Sequence, residues 1–103
     1  MKYRIPIFRI VNSPLIFNVS GNSMYPKYED GDIIFISNKH DCESGKDAVV
    51  RVNDCDATLR TIFKNKDGTI TLKPRNPCYA EKTFKLHEIF IIGVVVRMIR
   101  ITK

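Results

Sequence analysis

A chain of 103 residues, 44% hydrophobic and 27% charged, is long enough to bury one core without metal or disulfides and too apolar to be disordered. Its net charge of +6 would suit an acidic partner, yet the basic residues are scattered among apolar ones. That charge therefore reads as a solubility feature ahead of a nucleic-acid patch.

Residues 3–10 are β-prone, but Pro6 confines them to an edge strand or a strand start. Residues 15–19 put Leu15, Phe17 and Val19 on one face, a short strand that delivers the chain to Gly21. After a turn at Asp30-Gly31, residues 32–37 read as a buried strand, and 38–46 as a polar loop. A strand follows over 48–52, a turn over 53–56, and an alternating strand over 57–64. Its Ala57, Leu59 and Phe63 face one way, with Thr58, Arg60, Ile62 and Lys64 facing the other. Asp67-Gly68 signals a hairpin into residues 69–73, and Pro74, Asn76 and Pro77 mark an irregular stretch. Residues 88–101 form a long β-branched run, so the fold class is mostly β in a single domain.

Several function classes drop out. Cys42, Cys55 and Cys78 are odd in number and far apart, which argues for reduced thiols and against a disulfide framework or zinc site. His40 and His87 lie in no recognisable signature and read as surface residues, so no metal or cofactor is expected. The longest apolar run, residues 89–96, is too short to span a bilayer, and Lys2, Arg4 and Arg9 interrupt any signal-peptide core. A cytoplasmic protein with no membrane partner is the expectation. No helix-turn-helix, zinc finger or RNA-binding signature is present.

The stretch with chemical content is Gly21-Asn22-Ser23-Met24-Tyr25-Pro26. Gly21 can take backbone angles other residues avoid, and Pro26 fixes φ and supplies no N–H. Such a turn can hold a hydroxyl up and converge backbone N–H groups, as a serine nucleophile needs. Taken alone, the Gly-x-Ser pattern reads first as an ordinary turn between two strands.

The longer string narrows the choice. Ser23-Met24-x-Pro26, followed by Asp30-Gly31-Asp32 and a strand, resembles the nucleophile region of the LexA-like serine–lysine peptidases, the family of LexA, phage repressors and UmuD. Val49-Val50-Arg51-Val52, Asn76-Pro77-x-Tyr79 and Ile91-Ile92-Gly93-Val94-Val95 resemble later segments of that family, in order, so the resemblance covers about residues 15–100. It implies a LexA/signal-peptidase-like fold of twisted antiparallel sheets and hairpins. Residues 1–103 would be the family's C-terminal peptidase domain, with the DNA-binding domain absent from this chain. It also implies Ser23 as nucleophile, with the backbone N–H groups of Asn22 and Ser23 as oxyanion hole. The implied partners are a second copy through the C-terminal strand, DNA only through a missing N-terminal domain, and a RecA-type co-protease of the SOS response. A signal-peptidase relative is a weaker reading, since that family shares Ser-Met-x-Pro but generally has a membrane anchor.

One residue departs from the pattern. Aligning Thr58-Leu59-Arg60-Thr61-Ile62 on the family's strand puts Arg60 where the lysine base belongs, 37 positions after Ser23. A buried amine can lose its proton and serve as base; an arginine, with a pKa above ~12, stays protonated. It can hold the serine oxygen but not activate it. Lys64 lies on the same strand face but about 13 Å further along, at about 3.3 Å per residue. No Ala-Gly or Cys-Gly bond, the family's self-cleavage sequence, occurs in the chain. Two readings follow. The first is a dimerising regulatory domain with an impaired serine–lysine site. The second is an active serine peptidase that cleaves its own upstream linker with an unidentified base.

Overall fold

The computed structural model of the chain describes residues 15–101. The expected β-prone segment at 3–10 lies outside them. Seven strands make up the described fold: β1 (Leu15–Asn18), β2 (Ile33–Ile36), β3 (Asp47–Val52), β4 (Thr58–Lys64), β5 (Thr69–Lys73), β6 (Lys82–Lys85) and β7 (Ile89–Ile99). A single turn of 3-10 helix, Leu86–Glu88, joins the last two. The strands run in the order β1-β2-β7-β3-β4-β5-β6, with every neighbouring pair antiparallel. The architecture is mostly β, as the turn spacing and alternation require. No helix among the described residues is long and apolar enough to cross a membrane.

The strands bury side chains on both faces and so build two apolar clusters. The first gathers Phe17, Met24, Tyr28, Ile34, Ile36, Val49 and Leu59; the second gathers Ala48, Val50, Ile62, Ile70, Leu72 and Ile91. Strand β3 feeds both, with Val49 on one side and Ala48 and Val50 on the other, which is why it reads as a continuous apolar run. Strand β4 does the same through Leu59 and Ile62, in keeping with their opposite faces in the sequence.

Strand β7 changes partners midway. Its first half, Ile89 to Val94, pairs with β3, and its second half, Val95 to Ile99, with β2. Gly93 sits at the crossing, where an added Cβ would lie 1.9 Å from the Ser37 carbonyl oxygen and 2.8 Å from Ile36 Cδ1. Only glycine permits that approach.

The long C-terminal run, expected to meet a second copy, lies between β2 and β3 in the strand order. Among the described residues each half of β7 has one strand partner, β3 for the first half and β2 for the second, so the second half has an unpaired flank beside β2. Strand β6 was not anticipated. Lys82-Thr83-Phe84-Lys85 is short and largely exposed, so no apolar periodicity announces it.

Candidate active site

Strand β1 hands the chain to a loop that returns to β2 and is closed at its neck. Val19 N–H donates to the Asp32 carbonyl at 2.8 Å, and Gly31 N–H to the Val19 carbonyl at 2.8 Å. Gly21 adopts φ +83°, and its N–H donates to Asp30 Oδ1 at 2.7 Å. The first Asp of Asp-Gly-Asp thus caps the turn. Met24 and Tyr28 anchor the loop in the first apolar cluster, and Tyr28 N–H donates to the Met24 carbonyl at 3.0 Å. Ser23 is held half-buried between these fixed points.

Arg60, on β4, reaches this serine. Its Nη1 lies 2.9 Å from Ser23 Oγ and also donates to its neighbour's carbonyl, that of Leu59, at 2.6 Å. Burial pushes the Arg60 pKa below the ordinary guanidinium range, and the Tyr79 phenol opposes that. A guanidinium displaced from so high a start keeps its proton at neutral pH. It can donate to Ser23 Oγ and cannot take its hydrogen.

Lys64 is engaged elsewhere. The register of β4, with Arg60 opposite Ala48 and Lys64 opposite Ile70, leaves no slip that would exchange the two. Lys64 Nζ pairs with Asp41 Oδ1 at 2.9 Å. The hydrogen bond to Asp41 raises its pKa, the reverse of what a neutral base requires.

Two further residues organise the site, and the sequence had assigned a role to neither. Asn76 N–H donates to the Ser23 carbonyl at 3.0 Å, while its side-chain Nδ2 donates to the Asn22 carbonyl at 2.9 Å. The Asn-Pro-x-Tyr segment therefore clamps the serine turn from outside. Asp47, at the start of β3 and buried, accepts from Tyr28 Oη at 2.7 Å and Thr61 Oγ1 at 2.6 Å. Lys27 Nζ and Arg75 Nη2 each stand 2.9 Å from it. Burial alone would raise the Asp47 pKa, but hydrogen bonds from Thr61, Lys27, Tyr28 and Arg75 outweigh it and hold the carboxyl below its ordinary 3.8. Those partners adjoin the three site segments: Lys27 and Tyr28 follow the serine turn, Thr61 follows Arg60, and Arg75 precedes Asn76. One carboxylate ties all three together.

Beside Ser23 and Arg60 lies a cleft of about 250 Å³, lined also by Val19, Met24, Asp56 and Leu59. Among the described residues, the backbone N–H groups of Asn22 and Ser23 have no protein acceptor. The thiols take no part: Cys42 is buried, which pushes its pKa up, and Cys55 and Cys78 are exposed. His40 sits apart, its Nδ1 2.9 Å from the Ile91 carbonyl oxygen.

Comparison with known proteins places the chain in one family. A family model described as Peptidase S24-like matches residues 2–96. The LexA repressor of Lacticaseibacillus casei (strain BL23) is 33% identical over 86 residues, covering 82% of this chain and 40% of that protein. The LexA repressor of Cereibacter sphaeroides (strain ATCC 17029 / ATH 2.4.9) is 31% identical over 83 residues, covering 80% of this chain and 36% of that protein. The chain spans about two-fifths of the length of these relatives.

Proposed function

Because the chain belongs to the Peptidase S24-like family, we propose that it is the C-terminal dimerisation and regulatory domain of a LexA- or phage-repressor-like transcriptional regulator, with its self-cleavage site impaired. The observation that carries this reading is the 2.9 Å hydrogen bond from Arg60 Nη1 to Ser23 Oγ. A serine nucleophile needs a group that accepts its proton. Here the group in that place is a permanent donor, so it orients the oxygen and leaves it a hydroxyl.

Dimerisation on this reading uses the second half of β7. Val95–Ile99 has β2 on one flank only, and Val96 is 61% exposed. A second copy could pair there about a two-fold axis. DNA contact belongs to a part of the regulator outside this chain, and the setting is cytoplasmic. A RecA-type co-protease would accelerate nothing while Arg60 holds the position of the base.

The alternative, an active peptidase with Ser23 as nucleophile, draws support from the unpartnered N–H groups of Asn22 and Ser23, which suit an oxyanion. Intact mass over time separates the two, using the longest native form beside its Arg60→Lys and Ser23→Ala variants. Our reading expects no cleavage in the native form and cleavage in the lysine variant. Native cleavage abolished by Ser23→Ala would establish the enzyme instead.

A further inference from the structure

Resting on that reading of an uncatalytic site, we propose that the Ser23–Arg60 cleft is a receptor for the free C-terminal carboxylate of a peptide. Several observations converge on it. Arg60 is half-buried, yet no carboxylate pairs with it among the described residues, whereas Lys27, Lys64, Arg75 and Arg100 each have an acidic partner. Only its Nη1 is used, toward Ser23 Oγ and the Leu59 carbonyl, so Nε and Nη2 donate to no described protein atom. A half-buried cation without a counter-charge is poorly solvated and gains most from an incoming anion.

Further donors lie at the same place. Ser23 Oγ accepts from Arg60, which leaves its own O–H free to donate outward. Among the described residues, the N–H groups of Asn22 and Ser23 are unpartnered in the turn that carries that hydroxyl. Guanidinium, hydroxyl and paired amides form the donor set of a carboxylate site. With a lysine base the second oxygen would belong to a reacting acyl group; with arginine the same donors suit a finished carboxylate.

The cleft favours a peptide over a small anion. Val19, Met24, Ala57 and Leu59 line it together with the polar Ser20 and Thr58, which makes it a mixed groove longer than one anion needs. Among the described residues, an unpaired strand flank runs along it at Leu59. Ile62 directs its backbone groups toward residues 45 and 46, accepting from Gly45 N–H at 2.6 Å and donating to the Lys46 carbonyl at 2.9 Å. Strand alternation turns those of Leu59 the opposite way, and β5 pairs only from Thr61 onward. The Leu59 N–H is thus open to a peptide backbone in an added-strand arrangement. Asp56, exposed on the rim, disfavours a second acidic group in the ligand.

The test is fluorescence anisotropy with an N-terminally labelled hexapeptide ending in Val-Val-Ala, supplied as the free acid and as the C-terminal amide. The native protein should bind the acid at least about tenfold more tightly, the range for a hydrogen bond to a charged group. Arg60→Gln should reduce the acid to the affinity of the amide. Equal binding of acid and amide by native protein overturns the proposal and needs no variant to fold. Displacement of the peptide by acetate or phosphate at its own binding concentration would make this a small-anion site and overturn the peptide assignment. Intact mass of the same sample distinguishes the two readings: cleavage refutes the proposed function, whereas indifference to the carboxylate in an uncleaving protein refutes this inference alone.

Discussion

Arg75 grips Asp47 with two groups of its guanidinium, Nη2 at 2.9 Å and Nε at 3.1 Å from Oδ1, although the residues stand 28 positions apart. The contact fixes the approach of the segment whose next residue, Asn76, clamps the serine turn. Replacing Asp47 by alanine leaves Lys27, Arg75, Tyr28 and Thr61 without their shared acceptor. We expect a loss of about 2–3 kcal/mol in urea unfolding, within the range for breaking hydrogen bonds to a buried charge. Asp47→Asn should recover only part, since the amide keeps shape and loses charge. A change under about 0.5 kcal/mol, as at ordinary surface sites, would refute the hub.

The acid limb of stability should follow from two carboxylates. In Asp47, hydrogen bonds outweigh burial and depress the pKa. In Asp32, the hydrogen bond from Arg100 lowers it, burial opposes, and Glu29 N–H adds to the lowering. A carboxylate depressed by folding contributes stability above its unfolded pKa, and loses it as pH falls through the folded value. The urea midpoint should therefore stay level from neutral pH down to about 5 and fall once the pH drops below the ordinary 3.8. Asp47→Asn should be less stable at pH 7 and flatter in acid. An unchanged acid slope in that variant would contradict the assignment.

Gly93 predicts a steric failure. A methyl there meets a backbone oxygen, Ser37 O, at 1.9 Å, and backbone cannot rotate aside. Gly93→Ala should cost about 1–3 kcal/mol, the usual range for forced overpacking, read as a lowered Tm. Gly68→Ala makes a useful contrast: its Cβ meets nothing within 4 Å, so any cost there comes from its φ of +88° alone.

Dimerisation through the free flank of β7 should respond to charge at an exposed position. Val96→Asp adds a carboxylate to each copy at the proposed two-fold contact. Sedimentation velocity should show a concentration-dependent dimer in the native protein, weakened at least about tenfold in the variant. A native monomer at every accessible concentration would dispose of the interface.

The readable and unreadable parts of the chain divide by how each signal is encoded. Alternation over residues 15–19 and 57–64 and the Asp67-Gly68 turn placed β1, β4 and β5 within a residue or so, because burial imposes a period on the side chains. Ser23 and Arg60 were legible together only through resemblance, since the sequence alone gives no reason to pair positions 37 apart. Asp47 was passed over between a loop and a strand. Its partners lie 14 to 28 positions away, and each is an unremarkable polar residue until the fold assembles them. Strand geometry alone sets Lys64 about 13 Å too far along β4 to serve Ser23; its ion pair with Asp41, in a loop 23 residues earlier, is a tertiary fact.

The central claim is that Arg60 holds Ser23 without activating it, and the reactivity of that hydroxyl tests it most directly. The measurement is the rate of Ser23 phosphonylation by a fluorophosphonate, followed by intact mass from pH 6 to pH 10 in the native protein and in Arg60→Lys. The account predicts slow labelling in the native protein with no rise across that range, and a rate in the lysine variant that climbs as its amine loses a proton. Fast native labelling, rising with pH and abolished by Ser23→Ala, would show that a base is present and contradict the account.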